Sequence, residues 1–154
     1  MKISMIAAIT NNKVIGIKNN IPWKLKKDMI WFKKKTINKY IIIGRKTSES
    51  IKKKLKKRKK IIISKKKKKK IKFKKLFNNL KKKKKKIIII GGRKIYKKTF
   101  KYIKILYLTK ININLPGDIF FPNINLKNWK LVYSKYYKPC KINFYSYSFN
   151  IYTM

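Results

Sequence analysis

The chain has 154 residues, 47 Lys plus Arg against 3 Asp plus Glu, a formal net charge of +44, one cysteine and no histidine. Without histidine there are no Ser-His-Asp triads, Cys-His pairs or imidazole metal sites, and a lone Cys140 gives neither an internal disulfide nor a metal cluster. The length suits one domain over residues 1–154, and 44% hydrophobic residues suffice for a core.

"KISMIAAI" reads as an opening strand. A polar loop with Asn11, Asn12, Asn19 and Asn20 follows and contains Gly16. Pro22 precedes a helix of about ten residues, in which Leu25, Met29, Phe32 and Thr36 share one face. "YIIIG" is a continuous apolar run that suits a strand buried on both faces, as in a parallel sheet. "RKTSESIKKKL" fits a helix, "KIIIS" a strand, and "IIIIGG" another strand. The lysine runs at 65–70 and 81–86 read as solvated loops or helix ends. "YIKILYLTKI", "NWKLVYSKYY" and "INFYSYSFNIY" alternate like strands. Strands alternating with helices first, then accumulating, describe an α/β fold: a mostly parallel sheet closed by an antiparallel hairpin.

The N-terminus is too short and too soon polar for a signal peptide, and no apolar run approaches the roughly 18 residues of a membrane span. A cytoplasmic, soluble chain is expected. Lys, Ile, Asn, Tyr and Phe all have AT-rich codons, so drift toward AT would produce this bias without a need for lysine. The scarce residues are therefore informative: Ala7 and Ala8; Arg45, Arg58 and Arg93; Asp28, Glu49 and Asp118.

Asp28 falls on the apolar stripe of its helix. A carboxylate there is costly unless paired. Two readings stand: an acid in a first helical turn, favoured by the macrodipole, or a pocket carboxylate that holds a hydrogen-bonding ligand. "IIIGRKT" and "IIIIGGRKIY" share one layout of strand, glycine and basic pair. Each is either an ordinary strand-to-helix turn or one of two anchors for a long anionic ligand at the carboxyl ends of the strands. An arginine can fork an anion where lysine cannot, so the arginines are candidate anion contacts.

Taken together, "IAAI", "VIG", "IPWKLKKDMIWFK", "IIIGRKTSESI", "RKKIIIS", "IIIIGGRKIY", "LYLT" and "PGDIFFP" resemble bacterial-type dihydrofolate reductase, from Ile3 to about Ile151. The resemblance implies a dihydrofolate reductase-like α/β domain, with about four helices around a mixed, mostly parallel sheet. It implies NADPH-dependent reduction of 7,8-dihydrofolate to tetrahydrofolate, for one-carbon metabolism. Asp28 would bind the pterin and favour its protonated form, Thr109 would support the acid, and Trp23 would order a water. Ile6 and Ile90 would lend carbonyls. Met29, Phe32, Ile51 and Leu55 would wall the substrate pocket, with Ala8, Lys53 and Tyr96 also in contact. Arg58 would fork the glutamate carboxylate.

For NADPH, the resemblance points to Ala7, Val14, Ile15, Gly16, Asn19 and Asn20 at the nicotinamide. Gly44, Thr47, Gly91, Gly92 (with a cis peptide between the glycines), Arg93, Lys94, Ile95 and Tyr96 would serve the pyrophosphate region. Arg45, Lys46, Ser64, Lys65 and Lys75 would serve the adenosine end. No metal is implied, and a monomer is expected. Arg93, Ser48, Ile21 and Phe120 depart from the family's usual residues. Charge alone keeps one rival, a lysine-rich protein associated with nucleic acid; a second rival is a folded but inactive relative.

Overall fold

The computed structural model describes residues 2–51, 55–64 and 73–154. In chain order the elements are β1 (Ile3–Thr10), β2 (Val14–Gly16), α1 (Lys26–Thr36), β3 (Tyr40–Gly44), α2 (Arg45–Ser50), β4 (Lys59–Ile63), α3 (Phe73–Lys82) and β5 (Ile87–Gly91). Then come α4 (Arg93–Thr99), a 3-10 turn (Phe100–Tyr102), β6 (Ile105–Ile111), β7 (Ile119–Phe120), β8 (Lys130–Tyr137) and β9 (Tyr147–Thr153).

Seven strands form one sheet in the order β4-β3-β5-β1-β6-β9-β8. β4, β3, β5, β1 and β6 run parallel. β9 lies antiparallel between β6 and β8, giving the expected mixed sheet with a C-terminal antiparallel pair. The central strands are near-pure isoleucine because both of their faces are covered. Ile41, Ile42 and Ile43 on β3 and Ile88 and Ile89 on β5 are wholly buried. No described helix is long and apolar enough to cross a membrane.

Three local expectations change, and one unassigned segment gains an element. The helix expected over 45–55 ends at Ser50; Ile51 is already extended (φ −79°, ψ 97°), which turns its side chain toward a cavity described below. Between the lysine runs, where the sequence assigns no element, lies α3, whose Phe77 and Leu80 are buried in the core cluster with Ile3, Ile87 and Leu106. The polar loop after β1 contains β2, paired antiparallel with β7. The strands expected at 102–111, 128–137 and 142–152 begin later, at Ile105, Lys130 and Tyr147. Residues 81–86 are an exposed helix end and turn, as expected; the run at 65–70 lies outside the described residues.

Candidate active site

β1 sits between β5 and β6, and β5 lies beside β3, so the carboxyl ends of these parallel strands meet on one side. That is where an open α/β sheet leaves a crevice. Here the crevice is a cavity of about 250 Å³. Ile6, Ala7 and Ala8 of β1 line it, as do Asp28, Met29 and Phe32 of α1 and Ile90, Gly91, Gly92 and Tyr96 of the β5–α4 turn. Both alanines of the chain are in this wall, where larger side chains would occupy the space.

Asp28 stands in the first turn of α1, so both readings of this acid hold. Its Oδ1 accepts a hydrogen bond from the Thr109 hydroxyl at 2.7 Å. Thr109 is buried on β6, in register with Ala8. The carboxyl keeps some access to the cavity while protein surrounds its other sides. Burial raises its pKa from 3.8 to about 6, against the lowering effect of the Thr109 bond. It is thus an acid that can exchange a proton near neutral pH. Tyr96, buried across the cavity, donates its hydroxyl to the Ile6 carbonyl at 2.9 Å. Burial, with the nearby Asp28 charge second, holds its pKa well above the ordinary tyrosine value. Trp23 is buried and lines the cavity.

Arg58 lies at the far end of α1, outside the cavity lining. Its Nε donates to the Thr36 hydroxyl at 2.9 Å, and its guanidinium lies 5.9 Å from the Phe32 ring centre. Thr36 is fully buried, and its own hydroxyl donates a hydrogen bond to the Phe32 carbonyl at 2.7 Å. A guanidinium fixed through Nε keeps its two terminal nitrogens for an anion.

The two glycine turns are neighbours. A side chain at Gly44 would come within 3.5 Å of the Gly92 nitrogen. The Gly91–Gly92 peptide is cis, as the resemblance implies. Gly91 has φ 144°, and a Cβ on Gly92 would stand 2.7 Å from the Thr47 Oγ1. Only bare backbone leaves room between Thr47 and this turn.

Other expected site residues divide. Ile15, Gly16, Asn19, Asn20, Thr47, Ile51 and Leu55 line the cavity. Val14 does not: it is fully buried in one cluster with Trp23, Leu25 and Ile111. Ile95 is likewise a core residue, and its amide already donates to the Gly92 carbonyl at 2.9 Å. Arg93 and Lys94 are exposed on the first turn of α4, Lys46 on α2 and Lys75 on α3, all outside the lining. Gly44 ends β3 and Ser64 follows β4, both also outside the lining. Lys53 and Lys65 lie outside the described residues. Ile21, Ser50 and Ile119 line the cavity without having been expected. Ser50 had a signal, three residues after Thr47 on one helix; Ile21 and Ile119 had none.

A profile of the dihydrofolate reductase family matches residues 2–154. A dihydrofolate reductase of Buchnera aphidicola (subspecies Acyrthosiphon pisum) is 49% identical, with 98% of each chain covered. One of Haemophilus influenzae is 37% identical, with 99% of each covered. Among solved structures, dihydrofolate reductase from Enterococcus faecalis, complexed with NADP(H) and RAB-propyl, superposes with a TM-score of 0.89 at 26% identity. That match covers 99% of this chain and 95% of the other. Likeness in sequence along the whole length and likeness in fold agree, and the chain belongs to the dihydrofolate reductase family.

Proposed function

We propose that the cavity binds 7,8-dihydrofolate with its pterin at Asp28, and NADPH along the Thr47–Gly92 side. The enzyme is a dihydrofolate reductase, reducing dihydrofolate to tetrahydrofolate with NADPH. The observation that carries the site reading is Asp28: one of 3 acids among 47 basic residues, half-buried in the cavity wall and bonded to Thr109.

The residues present fit the cofactor. Thr47 and the glycine turn leave a cradle that a Cβ would fill, and the same cavity runs on to Asp28. When bound, NADPH supplies the hydride that reaches C6 of the pterin. The chain's own residues bind and orient. Asp28 accepts hydrogen bonds from the pterin's N3 and 2-amino groups, and as a carboxylate it favours a protonated ring. In the family's arrangement this acid would stand too far from N5 to protonate it directly, so a water ordered by Trp23 would deliver the final proton. Met29, Phe32, Ile51 and Leu55 make the apolar wall that excludes other water. Arg58 forks the substrate's α-carboxylate. NADPH oxidation, followed spectrophotometrically with and without dihydrofolate, tests the reading; oxidation that does not depend on dihydrofolate overturns it.

At the adenosine end, Arg45, Lys46 and Ser64 receive the 2′-phosphate. A field of +44 attracts NADPH and NADH alike, since both carry a pyrophosphate. Selectivity therefore needs local bonds. Arg45→Ala should narrow the kcat/KM preference for NADPH over NADH by about tenfold or more, the worth of one charge-assisted bond. Lysine changes within 81–86 should leave that ratio alone.

The chain works as a cytoplasmic monomer, since like-charged copies repel; sedimentation tests this. Its charge should also produce unspecific attraction to nucleic acid. Binding to random duplex DNA should be measurable at low salt and collapse as salt rises. A sequence-specific complex that survives well above physiological salt would favour the nucleic-acid role instead.

A further inference from the structure

Arg45 and Glu49 form the one side-chain ion pair seen among the described residues. Both Glu49 oxygens accept from the same Arg45 nitrogen, Nη1, at 2.8 and 2.9 Å. The pair is open to solvent, with the side chains 38% and 60% exposed. Such a pair adds little to stability. Glu49 also stands in the last turn of the six-residue helix α2, the end where the macrodipole disfavours an acid. Neither helix formation nor stability accounts for it.

The geometry accounts for it differently. Arg45 opens α2 next to Lys46, and Thr47 and Ser50 of the same helix line the cavity. A long guanidinium side chain beside Lys46 would be repelled outward and sample many rotamers. Glu49 ties it down through Nη1, and the edge made by Nε and Nη2 takes no part in that pair. That edge carries two parallel N–H donors, the arrangement a phosphate accepts.

We infer that Glu49 is a positioning residue that sets cofactor selectivity, holding Arg45 so that its free edge meets a ribose 2′-phosphate. The inference rests on the placement of that phosphate beside Arg45 proposed above. Glu49 acts in two ways at once. It orders the guanidinium before the ligand arrives, and it lowers the local positive field that would draw in any anion. NADPH gains from the first effect. The second weakens both cofactors, so the preference for NADPH rests on the first.

Glu49→Gln keeps the shape and removes the charge. It should narrow the NADPH over NADH ratio of kcat/KM about three- to tenfold, on the scale of ordering one rotamer-rich side chain. The change should come from a higher KM for NADPH together with an equal or lower KM for NADH. kcat with saturating NADPH and the thermal midpoint should not move. In an Arg45→Ala background the same substitution should leave the ratio where Arg45→Ala put it.

Titration with adenosine 2′,5′-bisphosphate and with adenosine 5′-monophosphate gives a readout free of turnover: Glu49→Gln should weaken the first and not the second. If Arg45→Ala narrows the ratio but Glu49→Gln leaves it unchanged or widens it, Glu49 does not position Arg45 and this inference fails alone. If Arg45→Ala itself leaves the ratio unchanged, the 2′-phosphate is elsewhere and both readings fail.

Discussion

Asp28→Asn should cost dihydrofolate reduction about a hundredfold or more at pH 7 while making the unliganded protein more stable. The activity loss follows from charge. Asparagine matches the carboxylate in shape and can still accept the Thr109 hydrogen bond, but it cannot stabilise a protonated pterin. The magnitude is that of losing a group which manages a proton in the reaction. Activity should recover in part at lower pH, where substrate arrives already protonated. Undiminished turnover at pH 7 would remove Asp28 from the mechanism.

The stability gain follows from linkage. The Asp28 carboxyl has a folded-state pKa of about 6 against an ordinary 3.8, so the folded chain holds this proton more tightly than the unfolded chain does. The stability from that proton is fully present below the unfolded pKa and is lost as pH rises through the folded one. Above that window the buried charge costs about 3 kcal/mol. Urea denaturation at pH 8 should therefore find the asparagine variant more stable by up to that amount. The gap should close as pH falls toward about 4. A wild type that is the more stable at pH 8 would show that the carboxylate has a partner beyond Thr109.

Arg58→Lys should weaken dihydrofolate about ten- to hundredfold and leave NADPH affinity nearly unchanged. Arginine does two things here with one planar group. Its Nε donates to the buried Thr36 hydroxyl, and the remaining edge is free for a carboxylate. A lysine ammonium is a point charge on a flexible stem; it can satisfy Thr36 or the carboxylate, not both in fixed geometry. The loss of a charge-assisted, two-point contact is worth about 1.5–3 kcal/mol. Tryptophan fluorescence titration with each ligand separately makes the comparison. Equal losses for substrate and cofactor would show Arg58 to be a structural residue and not a carboxylate fork.

The parallel core was legible because isoleucine runs such as "YIIIG" and "IIIIGG" have few other uses than doubly covered strands. Part of the cavity wall was legible because the composition otherwise avoids such residues: Asp28, Ala7 and Ala8 stood out, and all three line it. α3 was missed although Phe73, Leu76, Phe77 and Leu80 keep helical spacing. Flanking lysines drowned that spacing in a pattern that reads equally as loop. The early end of α2 had no local sign, since lysine continues a helix well. It ends where Ile51 must reach the cavity, which is a tertiary demand. β2 and β7, three and two residues long, exist because each supplies the other's hydrogen bonds. Val14 and Ile95 were assigned to the cofactor from their place in a motif, and neither motif nor spacing says which way a side chain turns.

The sheet ends on β4 at one side and β8 at the other. An open strand edge offers unpaired amides and carbonyls to any other extended chain, and so invites aggregation. Both edges here carry exposed lysines, Lys59 and Lys60 on β4 and Lys130 and Lys135 on β8. β8 also exposes Leu131, Val132, Tyr133 and Tyr136, side chains that would otherwise favour adding a further strand. Charges on edge strands oppose the docking of a second copy against them. Whatever set the composition, its lysines stand on the two edges where a sheet rich in isoleucine and tyrosine would otherwise be open to a further strand.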